Sequence, residues 1–202
     1  MSLARHSRRR WEEAWPNNLC GKARALTEIG PLDMKGRAYL MMRIAFLARR
    51  YIRRIRSKAK ASLDGLAAIH FARWAVIEQL PDENGDPEPL DPKFLYFESN
   101  FNGGFDEYID AFSYVIPGPV TKLFGPAVGF PGVQPATEFK AFIRLRGYEA
   151  EHYFSASPEA TATEVHAALR TLDRLQPVLD ALDSEPEAFA RTWRRFLAEA
   201  RP

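Results

Sequence analysis

Two segments of the chain, 69–78 (IHFARWAVIE) and 93–100 (KFLYFESN), are dense in β-branched and aromatic residues and alternate side chains with a period of two. In the first, Ile69, Phe71, Arg73, Ala75 and Ile77 share one face, and His70, Ala72, Trp74 and Val76 the other. The second runs into Asn102-Gly103-Gly104, a turn signal. Phe105, Tyr108, Ile109, Phe112 and Val115 then recur at helical spacing, with Asp106 and Glu107 in the first turn to complement the helix dipole. Two strands feeding a helix through a tight glycine turn predict an α+β fold, an antiparallel sheet with helices packed on one face.

Residues 1–33 show no sustained period and several turn residues, and are expected to be irregular. The stretch 80–92, rich in proline and acidic side chains, is expected to be an exposed loop. Residues 117–135 hold five prolines and four glycines yet carry Val120, Leu123, Phe124, Val128, Phe130 and Val133, so this broken, apolar segment is expected to pack on something. Residues 139–146 suit a strand or a helix equally, and 151–157 (EHYFSAS) reads as a strand. Thr161 with Glu164 forms a capping-box pattern opening a helix, which Pro177 interrupts. Val165, Leu169, Leu172 and Leu175 of that helix, and Phe189, Trp193, Phe196 and Leu197 of a last one, are expected to face the core.

Charge divides the chain at residue 60. Residues 1–60 hold 16 Lys or Arg against four acidic side chains, and residues 61–202 hold 12 against 22, so a formal net charge of +2 conceals a basic arm on an acidic body. Within the arm, residues 34–60 are helical in pattern. At roughly 100° per residue, Leu40, Ile44, Leu47, Tyr51 and Ile55 fall in one arc, and Arg43, Arg49, Arg50, Arg53, Arg54 and Arg56 in the other. This is a basic amphipathic helix. The expected domains are therefore a basic arm, 1–60, and an α+β domain with C-terminal helices, 61–202. The 46% hydrophobic content is ordinary for a globular chain. Cys20 is the only cysteine, which excludes an intrachain disulfide and suits a reducing, cytoplasmic setting. The apolar runs around 38–48 are split by Arg43 and fall far short of the ~20 residues that span a bilayer.

Residues able to carry chemistry are few. His70 and His152 lie on expected strands, where they could meet as base or ligand, but no metal-binding spacing is present and no metal site is expected. Glu98, amid Phe94, Tyr96 and Phe97, needs a partner, and Arg73 is either that partner or a pocket-lining group selecting an anion. The catalytic candidates are thus His70, Arg73, Glu98 and His152. Asn100, Asn102 and Asp106 converge at a strand-to-helix turn where an anion could be held, and Phe124 and Phe130 would line an apolar pocket under the Pro/Gly segment. The acidic 82–88 run lacks the glycine and the glutamate that a calcium loop requires.

The order strand, strand, helix, ambiguous segment, strand, helix, carried by Ile69-His-Phe-Ala-Arg-Trp, Phe97-Glu-Ser-Asn-Phe-Asn-Gly-Gly and His152-Tyr-Phe-Ser-Ala-Ser, resembles a group of largely uncharacterised bacterial ferredoxin-like domains. That group is similar to the dimeric α/β-barrel proteins, which include haem enzymes of the dye-decolorising peroxidase type. Over residues 69–176 the resemblance implies a ferredoxin-like sheet. It does not carry haem across, because the G-x-x-D-G signature is absent and no histidine matches the haem-ligand position; no cofactor is expected.

Three functional readings follow. The Arg-rich helix docks on an anionic membrane surface, at the inner face, while the body binds a small apolar or anionic molecule. It docks instead on the acidic body or on another protein subunit. Or it binds nucleic acid, against which the continuous apolar face argues. A small oxidoreductase or isomerase at His70, Arg73, Glu98 and His152 is a separate possibility.

Overall fold

The computed structural model describes residues 15–51, 66, 68–81 and 85–199, with backbone alone described at 49–51. It divides into two compact units, one ending at 159 and one beginning at 160.

The first unit is built on an antiparallel sheet of β1 (Leu19–Cys20), β2 (Ala23–Pro31), β3 (Ile69–Pro81) and β4 (Pro87–Asn102), in the order β1-β2-β4-β3, with β5 (Gly147–Tyr148) added to β2. β4 is central. Its Leu95, Phe97, Ser99 and Phe101 are buried, while Phe94, Tyr96, Glu98, Asn100 and Asn102 alternate with them on the opposite face. Register carries this two-sidedness across the sheet: Trp74 lies opposite Phe97 and Arg73 opposite Glu98 on β3, and Leu26 lies opposite Ser99 and Thr27 opposite Glu98 on β2.

Helices α2 (Phe105–Tyr114), α3 (Pro117–Phe124) and α4 (Ala136–Arg146) cover the Phe97 face. Phe97 meets Phe112 and Phe124 edge-on, at ring separations of 6.2 and 5.4 Å, and Phe101 stacks on Tyr108 at 3.9 Å. Burying each such ring stabilises by roughly 1.5–3 kcal/mol, so this aromatic layer is a main source of cohesion. Ion pairs tie α4 to α2: Arg144 to Asp106 at 2.7 Å and Lys140 to Asp110 at 2.8 Å. Gly103, at φ +91°, makes the turn between β4 and α2 that a side chain would strain.

Helix α1 (Arg37–Tyr51) buries Met42 in the same core, with Tyr39 and Phe46 packed against it. Leu40, Ile44 and Leu47 point away from that contact.

Several expectations are corrected. Residues 23–31 form β2, paired with β4 along its whole length, so the charge boundary at 60 is no boundary in the sheet. Their pattern is obscured because Ala25, Leu26, Glu28 and Gly30 are buried on both faces of an interior strand. The expected 80–92 loop is largely a ribbon, in which Pro81 pairs with Pro87 and Leu80 with Glu88. β2 does not extend past Phe94, so the prolines sit on strands with a free edge. Residues 139–146 belong to α4. The expected strand at 151–157 is irregular, because β2 offers its outer edge only to β1 and β5 and the segment is held by side chains instead of a ladder.

The 117–135 segment does pack, as expected: Val120, Phe124, Ala127 and Val133 are buried in the core. Its first half is helical, because Pro117 stands at the start of α3, where a missing N–H costs nothing.

The second unit is a helical hairpin, α5 (Ala162–Asp180) and α6 (Pro186–Glu199). The Thr161 capping box forms, with Glu164 N donating to Thr161 Oγ1 (3.1 Å) and Thr161 N to Glu164 Oε2 (2.7 Å). Pro177 does not end α5, since it lies on an exposed face where the freed carbonyl reaches water. Val165, Leu169, Leu172, Trp193 and Leu197, expected in the core, are exposed.

Candidate functional site

The face of the sheet turned away from α2–α4 carries a polar cluster between apolar side chains. Arg73 of β3 and Glu98 of β4 are directly opposed, and Arg73 Nε donates to Glu98 Oε2 at 2.6 Å. Tyr96, two residues along β4 on the same face, donates its hydroxyl to that same oxygen at 2.6 Å and accepts from Arg73 Nη2 at 3.2 Å. Two residues on from Glu98, Asn100 Nδ2 donates to the Tyr153 hydroxyl at 2.8 Å, and Asn100 Oδ1 is enclosed without a partner. Tyr153 belongs to the irregular segment laid against this face, whose far end is anchored by Lys22 N donating to Pro158 O at 2.7 Å.

Electrostatics decide what these groups can do. The Tyr96 hydroxyl is pushed above its ordinary range, first by burial and then by its bond to Glu98. Tyr153 is raised by burial and by the negative charges that Cys20 and Glu98 would carry nearby. Both phenols therefore stay protonated at neutral pH, and neither is poised as a base. Glu98 already accepts two short bonds. The cluster is equipped to hold a partner by hydrogen bonding more than to move a proton.

Of the residues expected to carry chemistry, Arg73, Glu98 and Asn100 meet here. His70 is exposed beside the irregularity at the start of β3, and His152 is exposed in the irregular segment. Asn102 donates to Lys22 O at 2.9 Å and Asp106 pairs with Arg144, so both fasten structure. Phe124 is fully buried and Phe130 packs beside it, 6.4 Å between ring centres, which places both in the core. Tyr96 and Tyr153 were missed; Tyr96 had a signal, its period-two position relative to Glu98, but Tyr153 had none. Among the described residues, no group of three or more His, Cys, Asp or Glu is placed to hold a metal ion.

Compared with known proteins, the chain matches no family model, no curated protein and no solved structure.

The expected docking helix is the second feature of interest. Leu40, Met41, Ile44 and Leu47 of α1 are 60, 55, 50 and 61% exposed. Arg43 borders this stripe on one side of the helix wheel, and Arg37 falls within its arc, one turn ahead of Leu40 and Met41. Arg43 is ion-paired with Glu78, which also meets Lys93 at 3.2 Å; these partners hold the Glu78 carboxyl below its usual range. Of the other expected docking residues, Arg49 and Arg50 are described by backbone alone, and Arg53, Arg54 and Arg56 lie outside the described residues. Trp15 is buried. Among the described residues, no helix is long and apolar enough to cross a membrane.

Proposed function

We propose that the protein docks peripherally on an anionic membrane surface through α1, and presents the open face of its sheet to a small apolar or anionic molecule. The observation that carries this reading is the outward apolar stripe of Leu40, Met41, Ile44 and Leu47 on a helix whose opposite side, at Met42, is already packed on the core. A helix needed only for the fold has no use for a second apolar side. One needed only for phosphate would be polar there.

Magnitudes set the mode of binding. Each cation near an anionic surface contributes about 1 kcal/mol, screened over ~10 Å at ordinary salt. Each aliphatic side chain contributes roughly 1.5–3 kcal/mol on full burial, so the stripe sustains binding once salt has weakened the charges. Co-sedimentation with phosphatidylglycerol-containing vesicles, beside pure phosphatidylcholine, tests this. Binding to the anionic vesicles is expected, reduced but retained at high salt, and lost in Ile44→Glu/Leu47→Glu. No binding at low salt, or binding indifferent to the double substitution, overturns it. The second outcome, together with a steep salt dependence of duplex binding, would favour nucleic acid.

A second reading is a ferredoxin-like domain acting on a small molecule, as an oxidoreductase or isomerase. It is favoured by the enclosed Asn100 Oδ1 beside the Tyr153 hydroxyl on the open face.

A further inference from the structure

The helical hairpin of α5 and α6 carries apolar side chains that its own fold leaves in water. Val165, Leu169, Leu172 and Leu179 of α5 are 42, 53, 59 and 45% exposed, and Trp193 and Leu197 of α6 are 40 and 48% exposed. Elsewhere on α5, Ala162 and Val178 are buried and Leu175 is half-buried. We propose that this face is the interface with a second copy of the chain, the two hairpins closing into a four-helix bundle.

The spacing identifies the kind of partner. Along α5 the exposed apolar residues Val165, Leu169, Leu172 and Leu179, with Gln176 between the last two, follow one another at alternating steps of four and three. That 3.5-residue period keeps a seam facing another helix, whereas a helix lying on a sheet or a bilayer shows a broader stripe. The single polar member is Gln176, whose Nε2 donates to Asp180 Oδ1 at 2.9 Å within its own helix. A polar side chain within an apolar seam sets register between partners.

Charge identifies which helix faces which. α5 carries three carboxylates, Glu164, Asp173 and Asp180, against two arginines, Arg170 and Arg174. On the helix wheel of α6, Arg194 lies beside Trp193 and Leu197, whereas Arg191 and Arg195 lie on the far side. Glu164, Asp173 and Asp180 border the α5 seam while Arg170 and Arg174 lie behind it, so pairing α5 with the partner's α6 sets Arg194 against these carboxylates, and a two-fold axis makes both such contacts at once. One hairpin thus contains both halves of a self-complementary surface.

The area approaches that of a stable interface. Helices of 19 and 14 residues are about 28 and 21 Å long at 1.5 Å per residue. Packed roughly 10 Å apart, they present a two-helix face on the order of 500 Å² in projection. The accessible area lost on contact exceeds the projected area, which brings the pair close to the ~800 Å² per partner of a stable interface.

Analytical ultracentrifugation of the full chain without lipid tests the proposal and is independent of the membrane reading, which it neither requires nor measures. A dimer is expected at micromolar concentration. In Leu169→Glu/Leu172→Glu, the dissociation constant should rise about 100-fold or more, with helical circular dichroism unchanged because both sites are exposed in the single chain. Should that variant lose helicity, Leu169→Ala/Leu172→Ala decides, since alanine favours the helix; a dissociation constant raised about tenfold is expected. A monomeric native chain overturns the proposal, as does a dimer as tight in the alanine variant as in the native protein.

Discussion

Glu28 and Arg146 form an ion pair inside the first unit: Nη1 of Arg146 donates to Oε1 of Glu28 at 3.3 Å, and the glutamate side chain has no exposed surface. Its other oxygen, Oε2, is enclosed without a partner. Burial raises the Glu28 carboxyl from 4.5 to about 7, against the pull of Arg146. The folded state therefore holds this proton more tightly than the unfolded chain. The stability that proton confers is complete below the unfolded value of 4.5 and is lost as pH rises through 7. At about 1.4 kcal/mol per tenfold change in proton affinity, the loss is about 3 kcal/mol. Denaturant unfolding at pH 5 and pH 8 should show the native protein losing this much relative to Glu28→Gln, which has no such proton. Parallel pH profiles for the two would remove Glu28 as the cause.

Tyr108 is fully buried and donates its hydroxyl to Ser99 Oγ at 2.7 Å, beneath the ring of Phe101. Burial pushes the phenol far above its ordinary range. Ser99→Ala should therefore cost about 1–3 kcal/mol, the penalty of a buried donor left unmet. Adding Tyr108→Phe removes that donor and should recover part of the loss. A double-mutant cycle with no coupling between the two sites contradicts this account.

On the open face, Glu98 is one cause of the raised Tyr96 hydroxyl. Glu98→Gln should lower the Tyr96 titration midpoint, read as the ultraviolet absorbance change that Tyr96→Phe abolishes. Arg73, two-thirds exposed, contributes little to stability by itself, and Arg73→Ala should leave the unfolding midpoint nearly unchanged.

Gly21 turns β1 into β2 at φ +59°, with Pro158 packed against it: a Cβ there would lie 2.8 Å from the Pro158 Cβ. Gly21→Ala should destabilise by about 1–2 kcal/mol and loosen the segment that carries Tyr153. Limited proteolysis between 149 and 159 should accelerate in the variant. An unchanged cleavage rate there argues against this coupling.

How far sequence reaches differs element by element. β4 and α2 are legible because their environments match their patterns: one face of β4 is buried and the other half-open, and α2 has one apolar side. β2 escapes detection because an interior strand with both faces covered accepts Ala, Glu and Gly, which carry no alternation. Residues 139–146 satisfy either period, and the choice of helix comes from Phe139, Phe142 and Ile143 all reaching the one aromatic layer. At the open face, Arg73 and Glu98 could be suspected of pairing from local pattern alone, whereas Tyr153 reaches Asn100 across 53 positions of chain through an irregular segment without a period to read.

The sequence by itself determined the α+β class, the helices that begin at 105 and 162, and the apolar arc of α1, because each follows from contacts within a few residues. Tertiary structure alone decided which apolar arcs are buried. Met42 reaches the core while Leu40, Ile44 and Leu47 do not, and Leu169 and Leu172 stand in water although their spacing is that of a core helix. Periodicity reports that a face is apolar, but burial depends on whether another element lies opposite, and that is settled only when the sheet and its helices have taken their places.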